Sequence, residues 1–292
     1  MTLVLLTGGS GQVGKAVIAA AAARGFTVVA PDRTALDLAD AGSIRSAMAS
    51  QPWDLVLNCG AYTAVDKAES EPGQADAINH LAPGILASEA AMRGIPIIHV
   101  STDYVFDGSS PEPYHEADAT GPTSVYGCTK LSGETAVRAA NPRHAIIRTA
   151  WIQSADGANF INTMLRLGEA RAELGVVDDQ LGCPTSATDL ADALLKIASN
   201  FPAEGGTFHF VNSGEASWHG LAEFIFARAE AVGRKVPQLG AITTAEYPTP
   251  ARRPANSQMD TSKFETTFGI RPRHWHEAIG ELLDQRLQGI KA

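Results

Sequence analysis

Apolar residues along the chain follow two alternating rhythms. Short runs rich in Val, Leu and Ile, at Thr2–Thr7, Thr27–Ala30, Asp54–Asn58, Ile95–Val100, Arg143–Arg148 and Gly206–Val211, are bounded by Gly, Pro, Asp or Asn and predict strands. Between them lie longer helical stretches at Lys15–Arg24, Ser43–Ser50, Gln74–Arg93, the segment after Ser124, Thr188–Ile197, Trp218–Val232 and His274–Leu287, with Ser43, Ser124 and Thr188 placed as N-caps. Strand and helix alternating in this way predict an α/β fold with a doubly wound parallel sheet covered on both faces. Past Trp151 the alternation weakens. That predicts excursions into a smaller C-terminal α/β lobe: residues 1–150 form the first unit, about 172–200 return to it, and 151–292 otherwise make the second.

With 292 residues, 45% of them hydrophobic, the chain has ample material for a core. A net charge of -9 argues against nucleic acid or an anionic membrane as the main partner. The alanine run at 19–23 is closed in by Lys15 and Arg24 and is too short to span a bilayer, and Met1 leads almost directly into a strand rather than a signal peptide. Cys59, Cys128 and Cys183 have no metal-ligand spacing, and His274-Trp-His276 reads as the start of a helix, so reduced cysteines, a cytoplasmic setting and no metal site are expected.

Gly8, Gly11 and Gly14 sit between a strand and a helix, the context of a Rossmann-type phosphate loop: a tight turn, close approach of backbone to a pyrophosphate, and helix packed on strand. Asp32 follows Gly14 by 18 positions, where an aspartate accepts from the adenosine ribose, and the adjacent Arg33 suits a 2′-phosphate; Asp32 favours NADH, Arg33 NADPH. Cys59 to Thr63 follow the third strand at its ligand-bearing end, so the crevice should gather Ser10, Ala61, Thr102 and Tyr126. Tyr126 and Lys130 are one helical turn apart, where an ammonium is expected to lower the phenol pKa. Residues 107–122, rich in Pro, Gly and acids, predict an exposed loop beside the site, and the proline-dense 247–256 segment offers Arg252 and Arg253 to phosphate oxygens. His209, alternating with Phe208 and Phe210, is expected on a strand surface.

Taken together, Gly8–Gly14, NCGAYTAVDKAE at 58–69, STDYVFDG at 101–108, Tyr126–Glu134, Arg148–Trp151, DQLGCPT at 179–185 and YPTPARRPANS at 247–257 resemble the extended short-chain dehydrogenase/reductases, over almost the whole chain. Within that superfamily they are most similar to reductases of dTDP-linked 4-keto-6-deoxysugars; STDYVFDG and YPTPARRPANS are far more specific than the Tyr-Lys pair. The resemblance implies an NADPH- or NADH-dependent oxidoreductase that reduces the C4 ketone of dTDP-4-dehydro-β-L-rhamnose. By position it implies Thr102, Tyr126 and Lys130 as catalytic, with Gly11, Gln12 and Val13 on the pyrophosphate. It further implies Asp32, Asp37 and Leu38 on adenosine, Ala61, Tyr62 and Thr63 on the cofactor, and Thr102, Asp103, Tyr104 and Trp151 on the nucleotide-sugar. Arg252 and Arg253 are expected to face the diphosphate, with Asn256 in the same loop. Some members hold Mg2+ at a dimer contact through a glutamate two residues after the last loop glycine; here that residue is Ala16, so the resemblance carries over neither the metal nor that contact, and a homodimer of another kind stays open. Two other readings remain at this stage. One is a related epimerase or 4,6-dehydratase, although Asp103-Tyr104 lacks the dehydratases' acidic pair; the other is a regulatory subunit resembling the methionine adenosyltransferase β subunit.

Overall fold

The computed structural model describes residues 1–202 and 204–288; residue 203 and the 289–292 end of the expected second lobe lie outside them. In chain order the first half runs β1 (Thr2–Thr7), α1 (Gln12–Ala21), β2 (Phe26–Val29), α2 (Ala41–Ala49), β3 (Leu55–Asn58), α3 (Val65–Ala68), α4 (Pro72–Asp76), α5 (Ala82–Met92), β4 (Ile97–Thr102), α6 (Val125–Ala140) and β5 (His144–Thr149). The second half runs β6 (Ile152–Gln153), α7 (Phe160–Ala170), β7 (Glu173–Val177), β8 (Leu181–Gly182), β9 (Thr185–Ser186), α8 (Ala187–Ser199), β10 (Gly206–His209), β11 (Ala216–Ser217), α9 (Trp218–Ala231), β12 (Gln238–Ile242), α10 (Ser262–Phe268) and α11 (Trp275–Gln288).

Six parallel strands form the main sheet in the order β10-β5-β4-β3-β1-β2. Alternation along each strand divides its apolar residues between two faces. Val4, Leu6, Leu55, Leu57, Ile98 and Ile147 pack against α1, α8 and α10. Their neighbours Leu5, Val56, Ile97 and Ile146 pack against α2, α5 and α6. Because β2 lies on one side of β1 and β3 on the other, the chain reverses direction across the sheet beside the C-terminal ends of β1 and β3, the place where such sheets bind ligands. In the second half α8 and β10 join this sheet body, while α7, α9 and α11 pack together with the parallel β7–β12 pair around Leu221, Ile225, Trp275 and Ile279.

Several local expectations change. Asp40, not Ser43, caps α2, and Ser186, not Thr188, caps α8. The helix expected at 74–93 is interrupted by a π-helical turn at Ala77–Leu81. Pro83 has no N–H to offer the carbonyl of Asn79 four residues back, so the regular ladder cannot continue through this turn. His209 is fully buried rather than on a strand surface, because the 107–122 segment folds over it: its backbone N–H donates to Glu116 Oε1 at 2.9 Å and Nδ1 lies 3.1 Å from the Tyr114 carbonyl. That segment is correspondingly less exposed than its composition suggests, since Tyr114 is buried and stacks on Phe106.

Candidate active site

The glycines of the first loop are required by contacts. Gly8 has φ +71°, and a Cβ there would lie 2.7 Å from the backbone of Cys59 and Gly60; a Cβ at Gly14 would lie 2.2 Å from the Gly8 carbonyl. Gly11 N–H closes the turn on Gly8 O at 3.0 Å, and α1 then starts at Gln12 with no side-chain cap. An uncapped helix N-terminus behind a tight backbone turn presents N–H groups and a positive dipole end, which fits a pyrophosphate. Gln12 faces the 154–159 segment: Oε1 accepts from Ser154 Oγ at 2.7 Å and Asn159 Nδ2 at 3.0 Å. Val13, in the first turn of α1, packs half-buried against the core, and Ser10 is exposed at the tip of the turn.

At the end of β2, Asp32 Oδ1 accepts from Thr34 N, Thr34 Oγ1 and Ala35 N, and the Thr34 hydroxyl leads in holding the carboxyl below its usual range. Exposed Arg33 and half-buried Asp37 are loosely paired at 3.8 Å, while Leu38 presses on Gly60. After β3, Ala61 to Thr63 line the neighbouring strand end. Asn79, from the π-turn, clamps Tyr62 by accepting from its N–H at 2.8 Å and donating to its carbonyl at 3.1 Å. Tyr62 OH donates to Glu71 at 2.7 Å.

Thr102 ends β4 and Tyr126 lies in the first turn of α6, whose N-cap is Ser124. Thr102 Oγ1 donates to Asp103 Oδ1 at 2.9 Å and accepts from Tyr104 N at 3.2 Å. The Tyr126 ring meets Tyr104 edge-on with centroids 5.4 Å apart. Burial raises the Tyr126 phenol above its ordinary value, opposed by its hydrogen bond with Thr102 and reinforced by Asp103 and Tyr104. The expected lowering by Lys130 is therefore overturned. Lys130 is 2% exposed and donates through Nζ to the Val100 carbonyl at 2.6 Å, and burial brings its own pKa down to about 8 against the attraction of Glu134 and Cys59. Glu134, one turn on, is fully buried; it accepts from Ser101 Oγ at 2.7 Å, from Arg148 Nε and Nη2 at 2.9 and 2.8 Å, and from Arg138 Nη2 at 2.7 Å. Asp103 is also buried, which raises it to about 6, and its Oδ2 has no hydrogen-bond partner.

The other sequence-selected residues divide. Arg253 reaches the site, donating to Tyr104 OH at 2.9 Å and pairing with Asp66 at 2.7 Å, whereas Arg252 is exposed. Asn256 turns away, its amide donating to the Ser110 and Glu112 carbonyls and so fixing the loop. Trp151 has φ +48°, rare for an aromatic residue, and one ring face is already stacked on Trp218 at 3.5 Å. Asn79, Asp66 and Glu134 belong to this constellation without having been singled out. Asn79 lies in an alanine-rich helical stretch with nothing local to mark it, and Glu134 and Asp66 are members of longer motifs.

A family model described as the RmlD substrate binding domain matches residues 1–288. The dTDP-4-dehydrorhamnose reductase of Sinorhizobium fredii is 46% identical over 283 residues, covering 95% of each chain. Among solved structures, a dTDP-4-dehydrorhamnose reductase from Clostridium acetobutylicum is 38% identical with a TM-score of 0.92, covering 97% of this chain and 99% of that one. The Bacillus anthracis dTDP-4-dehydrorhamnose reductase, in complex with NADP, is 30% identical with a TM-score of 0.91, covering 98% of this chain and 100% of that one.

Proposed function

Because the chain belongs to the RmlD family of dTDP-4-dehydrorhamnose reductases, we propose that the crevice beside β1, β3 and β4 reduces the C4 ketone of dTDP-4-dehydro-β-L-rhamnose to give dTDP-β-L-rhamnose. NADPH or NADH, when bound, supplies the hydride that adds to C4. The protein supplies the matching proton and the geometry. Tyr126 is the donor: a phenol held above its ordinary pKa stays protonated at working pH, as a donor to a new alkoxide must be. Thr102 Oγ1 would hydrogen-bond the same oxygen, stabilising charge where it develops. Lys130, cationic below about 8, would supply a positive charge to the cofactor's ribose and to the reacting oxygen.

The observation that carries this reading is the convergence of Thr102, Tyr126 and Lys130 from β4 and α6 next to a glycine loop with an uncapped helix. We assign the dinucleotide to the sheet body, through Gly8, Gly11, Gln12, Val13, Gly14, Asp32, Arg33, Asp37, Leu38 and Ala61 to Thr63. The nucleotide-sugar falls to Asp103, Tyr104, Trp151, Arg253 and Arg252, with Asn256 shaping their loop from behind. The test is oxidation of NADPH and NADH on addition of dTDP-4-dehydro-L-rhamnose, with the sugar product identified. Equimolar cofactor oxidation and dTDP-rhamnose formation are expected. Conversion without net oxidation would indicate an epimerase, and no conversion with either cofactor would refute the catalytic reading.

A further inference from the structure

The second lobe carries a cavity that takes no part in the site above. About 620 Å3 in volume, it is lined by Asn162, Thr163, Arg166, Glu169, Arg234 and Arg286, among others. Asn162, Arg166 and Glu169 follow one another at four- and three-residue spacing, so one face of α7 presents them together, with Thr163 beside Asn162. Arg234 enters from beyond α9 and Arg286 from the end of α11. Three guanidinium groups facing one lining carboxylate make a local excess of positive charge in a chain whose net charge is -9. Their existing pairs are loose: Arg234 lies 3.6 Å from Glu169, Arg286 lies 3.9 Å from Asp156, and Arg166 has no salt-bridge partner among the described residues.

Asn162 adds a second feature. Its Nδ2 donates to the Ala155 and Gly157 carbonyls at 3.1 and 3.0 Å, leaving Oδ1 buried with no donor. Guanidinium groups suit phosphate oxygens, and the Asn162 side chain joins the cavity wall to the 155–157 turn. We propose that this cavity is a second binding site, for a phosphorylated sugar or nucleotide, whose phosphate meets Arg166, Arg234 and Arg286 while the rest of the ligand lies against Asn162 and Thr163.

The same hydrogen bonds lead to the cofactor loop. Asn162 holds positions 155 and 157, and Ser154 and Asn159, at either end of that turn, both bond Gln12 Oε1. A ligand on Asn162 therefore acts on the segment that anchors Gln12, and occupancy shifts dinucleotide affinity, with the reciprocal effect required by linkage.

The test is calorimetric titration of the whole protein with glucose 1-phosphate and, separately, with dTDP. Wild type is compared with Arg166→Gln/Arg234→Gln and with Glu169→Gln. The expected result is that at least one probe binds wild type at the cavity, loses at least about tenfold in affinity in the double variant, and gains in Glu169→Gln. That probe should also change the NADPH dissociation constant by at least about twofold in wild type and not in the double variant. A sugar phosphate as natural ligand would favour the first probe, a nucleotide the second; dTDP held in the reductase site would bind all three proteins alike. No binding to wild type, or identical titrations of all three proteins by both probes, would overturn the proposal. Neither readout uses turnover, so failure of the reductase reading and failure of this one are told apart.

Discussion

Tyr126 and Lys130 stand one turn apart, yet they do not act on each other as helix spacing alone suggests. Burial dominates both: it pushes the phenol up and the ammonium down to about 8, and Lys130 turns to the Val100 carbonyl. Lys130 is thus charged below about 8 and neutral above it, while Tyr126 remains protonated throughout. If the charged form is required, kcat/KM for reduction should fall on the alkaline side with a midpoint near pH 8, and a pH profile in non-coordinating buffers checks this. Glu134 supports a second expectation at this scale. Glu134→Gln leaves Arg148, 2% exposed, without its bidentate partner, so loss of about 3–5 kcal/mol of stability is expected and measurable as a lower denaturant midpoint. Thr102, Tyr126 and Lys130 could be proposed from the sequence because they fall inside longer motifs, the Tyr-Lys pair alone being common. Their electrostatics could not, because a pKa follows from burial and from neighbours such as Asp103 and Tyr104 that periodicity cannot place.

Elements were legible wherever alternation was strong, as in β1, β3 and β5, where successive apolar side chains feed two separate cores. Boundaries were less so. Ser186 and Thr188, or Asp40 and Ser43, are chemically equivalent caps a few residues apart, and only backbone geometry chooses between them. The π-turn before α5 hides inside an alanine-rich stretch, although Pro83 marks it in retrospect. Its consequence reaches α6: a Cβ at Gly133 would lie 2.1 Å from the Asn79 carbonyl. Gly133→Ala must therefore part α6 from the segment that clamps Tyr62, and about 1–3 kcal/mol of lost stability with weaker dinucleotide binding is expected from thermal unfolding and cofactor titration.

At the scale of the molecule, the return of the chain to the sheet was only partly readable. A strand at 206–211 was visible as a pattern, but its parallel pairing with β5 and the covering of His209 by the 107–122 segment are long-range facts with no local signal. The closing of the proline-rich loop is similar. Arg253 bonds Tyr104 and Asp66, and Ala251 N–H donates to Asp66 at 3.2 Å, so the loop is latched beside Tyr104, whose ring meets Tyr126. Arg253→Gln should therefore raise KM for the nucleotide-sugar by at least about tenfold with a smaller change in NADPH affinity, as steady-state kinetics with each substrate varied would reveal. All of this converges on the proposal that the Tyr126 proton completes the reduction. The most direct measurement is single-turnover reduction of dTDP-4-dehydro-L-rhamnose by Tyr126→Phe beside wild type, with NADPH affinity determined on the same samples. The account predicts unchanged affinity and a rate at least about 100-fold lower; a variant that binds NADPH and turns over at the wild-type rate would contradict it.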